Sequence, residues 1–125
     1  MYAFSAIGPE EFAVRMKVFP PNRGTLKWFF RANEVIVRYT NQICSGQCFP
    51  LSCNSFLISI DHQCTDDERL ITWTHELLHC VYKVGPYDED TKRGKAVEDI
   101  IESAAQELYV DERQFLEDSL DRYTR

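Results

Sequence analysis

The sequence predicts a single α+β domain: an N-terminal helix, a short sheet of two or three strands, then three helices. Three observations predict it. Two β-branched runs, Glu34 to Tyr39 and Ser55 to Ile60, lie in the first half. Apolar residues at helical spacing fill most of the second half. The chain has 125 residues, 44% hydrophobic and 27% charged, which suffices for one hydrophobic core and is short for two, so the domain is read as 1–125.

Taken in order, Gly8-Pro9-Glu10-Glu11 reads as a helix start, with Pro at the first position and acids in the first turn. This helix runs through Phe12, Val14, Met16 and Val18 to about Phe19, where Pro20-Pro21 stops it. Thr25 to Arg31 fits no single pattern. The segment Asn41 to Asn54, between the two strands, reads as irregular. Thr65-Asp66-Asp67-Glu68 has the form of a capping box, and the helix it opens extends to about Lys83, ended by Gly85-Pro86. A further helix covers about Lys95 to Val110, with Val97, Ile100, Ile101, Ala104, Ala105 and Leu108 as its apolar stripe. A last amphipathic segment carries Phe115, Leu116 and Leu120, and its tail Asp121 to Arg125 packs on the body or on a partner.

Composition removes several classes of function. Fourteen Lys and Arg against twenty Asp and Glu give a formal charge of −6, whereas nucleic-acid or anionic-membrane binding needs a basic face. No apolar run approaches the roughly 20 residues that span a bilayer. The N-terminus shows neither the basic region nor the long apolar region of a secretory signal, so a soluble, cytoplasmic protein is expected. Five cysteines, an odd number, argue against a secreted disulfide framework.

The chemistry-bearing stretch is His75-Glu76-Leu77-Leu78-His79. Histidines at i and i+4 share one helix face and can reach one cation, while the Glu after the first points beside them. There it can take a proton from a coordinated water without being a ligand. On a helical wheel Leu70, Trp73, Leu77 and Val81 centre the core face, and His75 and His79 lie about 140–180° from Leu70. Such a match arises by chance in a chain this short with odds on the order of a few per thousand. Two of the three histidines of the sequence fall inside it.

A catalytic zinc takes three protein ligands and a water. The downstream helix offers Glu98 and Glu102, four apart on one flank of the Val97/Ile101/Ala105 stripe. One can bind the metal while the other orients a ligand histidine through its second ring nitrogen. Glu98 is favoured as ligand, with Glu102 behind a histidine or as the alternative ligand. Zn²⁺ suits such donors, as do Mn, Fe and Co.

The motif followed by a Glu-bearing helix resembles the gluzincin metallopeptidases, and among them the small phage- and mobile-element-type proteins related to the ImmA/IrrE family. The order of Ile58-Ser59-Ile60-Asp61 strand, capped turn and motif helix matches that family over about Ser55 to Val110. The usual E-x-x-A-x-x-F-A pattern of the third-ligand helix is met only in part, by Glu102-Ser103-Ala104-Ala105. The resemblance implies a small zincin-like fold and a zinc-dependent metalloprotease. In it His75, His79 and Glu98 hold the metal, and Glu76 moves the proton from water to the leaving amine. It also implies a protein or peptide substrate, in that family often a transcriptional repressor. Tyr82, Tyr87, Tyr109 and His62 are candidate donors to the developing oxyanion. An exposed strand edge near Ser55 to Ile60 is a candidate for binding substrate by β-augmentation.

Two other readings stay open: a regulator that keeps the metal fold and acts by protein binding, and a purely structural zinc clamp. Cys44, Cys48, Cys53 and Cys64 read as free thiols, with disulfides or a thiolate metal site as alternatives, because their spacings miss the common knuckles. Cys80 reads as a small core residue. Trp28-Phe29-Phe30 with Tyr39 reads as core, or as the wall of a groove.

Overall fold

A computed structural model describes residues 4–41, 46–85, 87 and 90–124. Its elements are α1 (Pro9–Val18), α2 (Arg23–Ala32), β1 (Glu34–Thr40), β2 (Gly46–Ser52), β3 (Ser55–Asp61), α3 (Asp66–Tyr82), α4 (Lys92–Asp111) and α5 (Arg113–Thr124). The fold class is α+β, as the sequence predicts.

The sheet is mixed, in the order β1-β3-β2, with β1 parallel and β2 antiparallel to β3. Its register aligns Val37, Ile58 and Cys48 in one row, and Val35, Phe56 and Pro50 in another. Phe56, Ile58 and Ile60 therefore share one face, and all three are at most 1% exposed. Helix α3 packs on that sheet, with α4 against it and α5 reaching both α3 and β1. Trp73, Leu77 and Leu78 of α3, Ile101 of α4, and Leu26 and Phe29 of α2 complete the core.

Three expectations need correction, on β2, on the sheet edge and on the start of α4, and the open segment Thr25 to Arg31 is resolved. The segment read as irregular contains β2: its Pro50 cannot donate to a ladder, but β2 pairs only with β3 among the described residues, and edge strands tolerate proline. A register shift between Pro50 and Ser52 accommodates it. Consequently Ser55 to Ile60 is no exposed edge; β3 is the central strand, paired on both sides. Thr25 to Arg31 lies within helix α2, whose Asn22 side chain caps the Thr25 amide at 2.9 Å. Helix α3 ends at Lys83 as expected, with that residue in the left-handed region (φ 55°, ψ 49°). Helix α4 begins at Lys92, three residues before Lys95, because Thr91 caps it by accepting from the Gly94 amide at 3.0 Å.

The C-terminal helix packs on the body. Leu116 is fully buried, and Ser119 accepts a hydrogen bond from the Trp73 indole at 3.0 Å while donating to the Leu116 carbonyl at 2.8 Å. Phe30, Trp73, Phe115 and Tyr123 form an aromatic cluster around this bond. Ser119→Ala leaves the buried indole N–H without its acceptor and is expected to cost about 1–3 kcal/mol. Urea denaturation with an unchanged m-value checks this; an unchanged midpoint would contradict it.

Candidate metal centre

Helix α3 begins at the capping box, in which Thr65 Oγ1 accepts from the Glu68 amide (3.3 Å) and Glu68 Oε1 accepts from the Thr65 amide (3.1 Å). From that start, helical periodicity turns Leu70, Trp73 and Leu77 to the core and His75 and His79 away from it. The side away from the core is not solvent. Helix α4 covers it in antiparallel sense, so that His79 meets Glu98, His75 meets Glu98 and Glu102, and Asp67 meets Tyr109.

The donor atoms converge. Glu98 Oε2 lies 3.0 Å from His75 Nε2, and Glu98 Oε1 lies 3.2 Å from His79 Nε2. The two Nε2 atoms are 3.3 Å apart. Among the described residues this is the one group of three or more His, Cys, Asp or Glu side chains able to hold a metal ion, with donor atoms within 4.8 Å of one another. Each imidazole is held from behind. Glu102 Oε2 accepts from His75 Nδ1 at 2.6 Å, and the Val84 carbonyl accepts from His79 Nδ1 at 2.7 Å. With the proton on Nδ1, each Nε2 keeps its lone pair for a cation. Two imidazoles and a carboxylate, all aimed at one point and oriented from behind, fit a divalent transition metal.

Glu76 is 8% exposed and stands beside the triad without joining it. Burial raises its pKa, against the lowering influence of His79 and His75. The thiol of Cys48, on β2, lies against Cys80 and Glu76; Cys80, burial and the Glu76 charge push its pKa well up, so it stays protonated. Gly46, at the start of β2, approaches α3 so closely that a Cβ there would run into the Thr72 methyl group and come within 3.2 Å of Glu76 Cγ. A cleft of about 320 Å³ opens beside His75 and Glu76, lined by Gly46, by Glu68, Ile71 and Thr72 of α3, and by Glu102.

The other candidates fall in different places. Tyr82 is buried and donates to the Phe19 carbonyl at 2.5 Å. Tyr109 donates to Asp67 at 2.8 Å, and His62 sits at the end of the sheet, 3.3 Å from the Thr40 carbonyl. None of these three reaches the triad. Tyr87 borders Gly85 next to His79, and its hydroxyl donates to the Ile7 carbonyl at 2.6 Å. Among the described cysteines Cys48, Cys53, Cys64 and Cys80 are free thiols, and Cys44 lies outside the described residues. Cys80 is fully buried. Phe29 and Phe30 belong to the core and its aromatic cluster, whereas Trp28 is half exposed on Phe19 and Tyr39 lies under Arg69.

Two contributors escaped the sequence reading. Gly46 had a signal, since glycine in a strand marks close backbone approach, but β2 had to be recognised first. The Val84 carbonyl had none, because any residue supplies that atom. No helix of the described residues is long and apolar enough to cross a membrane. No protein-family model, no curated protein and no solved structure matches this chain.

Two predictions follow from the geometry. Elemental analysis after Zn²⁺ loading should find one equivalent in the wild type and none in His79→Ala or Glu98→Ala. Glu102→Ala should retain the site with affinity lowered about 10–100-fold; equal loss in both Glu variants would contradict the assignment of roles. The second concerns pH with a chelator present. Burial disfavours charge on Glu98, but hydrogen bonds from His75 and His79 outweigh it and hold the carboxyl at about 2, below its ordinary 4.5. That contribution is lost as pH falls from 4.5 towards 2. For His75 burial opposes protonation, yet Glu98, Glu76 and Glu102 raise it to about 9 from 6.5. Its contribution is complete below 6.5 and lost as pH rises through 9, while the raised pKa of Glu76 makes a further loss that begins above 4.5. Melting temperature should therefore peak between pH 4.5 and 6.5 in chelator. With metal the peak should move upward, because ligation requires an unprotonated Nε2.

Proposed function

We propose that the protein is a zinc-dependent metalloprotease of gluzincin type, related to the ImmA/IrrE-like peptidases. The observation that carries this reading is the convergence of His75 Nε2, His79 Nε2 and the Glu98 carboxylate beside a buried Glu76 on the rim of a cleft. A zinc ion held by those three side chains would acidify a coordinated water and polarise a peptide carbonyl. His75 and His79 hold their orientation through Glu102 and Val84, which keeps both Nε2 atoms on a common point. Glu76 accepts the proton of the attacking water and delivers it to the leaving amine. Its burial raises its pKa above the ordinary carboxylate value, which strengthens it as a base for that exchange.

Substrate binds as an extended segment. The outer edge of β2 replaces the Ser55–Ile60 edge for this purpose, since β2 has β3 on one side only among the described residues and its Gly46 and Cys48 adjoin Glu76. A peptide added there would lie alongside the triad with its main chain hydrogen-bonded to the strand. Tyr87 is the remaining candidate to support the oxyanion, after release of its bond to Ile7.

Glu76→Gln is the test. Zinc-loaded wild type should cleave a denatured protein or a peptide library, with products identified by mass spectrometry. Glu76→Gln should keep one zinc and the native melting curve while losing at least about 100-fold in rate, the scale of a removed general base. Equal rates in the two proteins, or no cleavage by either, would overturn the proposal.

A further inference from the structure

The cleft beside the triad has a charge and shape of its own. Along α3 its lining follows the helical repeat from Glu68 through Ile71 and Thr72 to His75 and Glu76, so it runs as a stripe from the start of the helix to the metal ligands. Glu68 lies two helical turns, about 10 Å along the axis, from His75. Three carboxylates line it, those of Glu68, Glu76 and Glu102, and among the described residues no lysine or arginine does. Between the carboxylates the wall is apolar, made by Ile71 and Thr72.

Each carboxylate is held in place. Glu68 is exposed, its Oε1 is engaged by the capping box, and the backbone and side chain of Thr65 keep its pKa below the ordinary value. Glu102 accepts from His75 Nδ1 and from Gln106 Nε2 at 2.9 Å. Glu76 is buried at the metal end. Fixed negative groups at both ends of an apolar wall match a long aliphatic stem that ends in a cation. The volume of about 320 Å³ is at the lower end of ligand pockets and accepts one such side chain.

We propose that this cleft is the subsite for a lysine or arginine side chain next to the bond that is cut, with Glu68 as its specificity-determining residue. This deepens the peptidase reading and rests on it. The stem packs on Ile71 and the Thr72 methyl, and the cationic head lies at Glu68, with Glu76 and Glu102 at the other, metal end of the wall. An extended peptide on β2 presents alternate side chains to the two faces of the sheet, so one side chain near the metal is directed towards α3 and the cleft. A glutamate or aspartate at that position is repelled, which gives discrimination in both directions.

Binding tests this separately from turnover. The zinc-loaded Glu76→Gln chain is titrated with fluorescent, end-blocked hexapeptides that carry arginine or its neutral isostere citrulline, and lysine or norleucine, scanned over each position. Arginine and lysine should bind about threefold to fivefold tighter than their isosteres at one position, the scale of an ion pair on an exposed carboxylate. Adding Glu68→Gln should abolish that preference. Glutamine still serves the capping box, so the chain should stay folded with only a small fall in melting temperature from the charge lost at the helix start. Equal affinity for charged and neutral peptides, no measurable binding, or a preference that survives Glu68→Gln would overturn the subsite. Selective binding without hydrolysis by the wild type would overturn the peptidase reading and the subsite's place beside a cut bond, and would leave a cleft that binds cationic side chains. Hydrolysis without charge preference would overturn the subsite alone.

Discussion

Helix α3 has two jobs that compete for its surface, and the fold is arranged around that conflict. One face must anchor the core, with Trp73 and Leu77 fully buried. The opposite face carries two imidazoles and flanks a carboxylate, groups that are costly to bury without partners. Covering this second face with another apolar layer would leave those groups unsatisfied; leaving it in water would lose the low-dielectric setting that makes them reactive. Helix α4 resolves the conflict by presenting Glu98 and Glu102 at i and i+4, one carboxylate between the imidazoles and one behind His75. Its other side supplies Val97, Ile101 and Ala105 to the core.

Support for the site extends far from it. The Val84 carbonyl that orients His79 belongs to the turn after α3, and that turn is tied to the N-terminal segment. Ser5 donates to the Lys83 carbonyl at 2.9 Å and accepts from the Gly85 amide at 3.0 Å, forming a bridge with Val84. Arg15 of α1 donates to the Tyr82 carbonyl at 2.8 Å, and Tyr82 donates to Phe19. Gly85, with φ of +100°, passes so near His79 that a Cβ would lie 2.7 Å from Nδ1. The first helix and the segment before it thus brace the turn whose Val84 carbonyl orients His79.

Electrostatics bind the site and the stability of the fold together. Glu76 and Glu98 are carboxylates of one sign placed side by side, and His75 and His79 lie between them. Protons or a cation on the imidazoles relieve that repulsion, and the two compete for the same Nε2 atoms. A site of this kind is expected to be a weak point of the fold when stripped and a strong one when loaded.

Much of this was legible in the sequence because it is local. The capping box, the i,i+4 histidines, the glutamate between them and the amphipathic stripe of α4 are set by contacts within a few residues, and a helix converts such spacing directly into position. The pair Glu98 and Glu102 was legible as a flank for the same reason. Long-range placement was not: the existence of β2 depends on an edge position that excuses Pro50, and the central place of β3 depends on β1 and β2 choosing it from either side. The separate duties of Glu98 and Glu102 come from the antiparallel offset of α4 on α3, a quantity that no residue spacing contains. By itself the sequence determined the helices, their faces and the residue types at the site, since these follow from local dihedral and hydrogen-bonding preferences. The tertiary structure alone decided which carboxylate meets which nitrogen and which strand borders Glu76, because both depend on packing between segments distant along the chain.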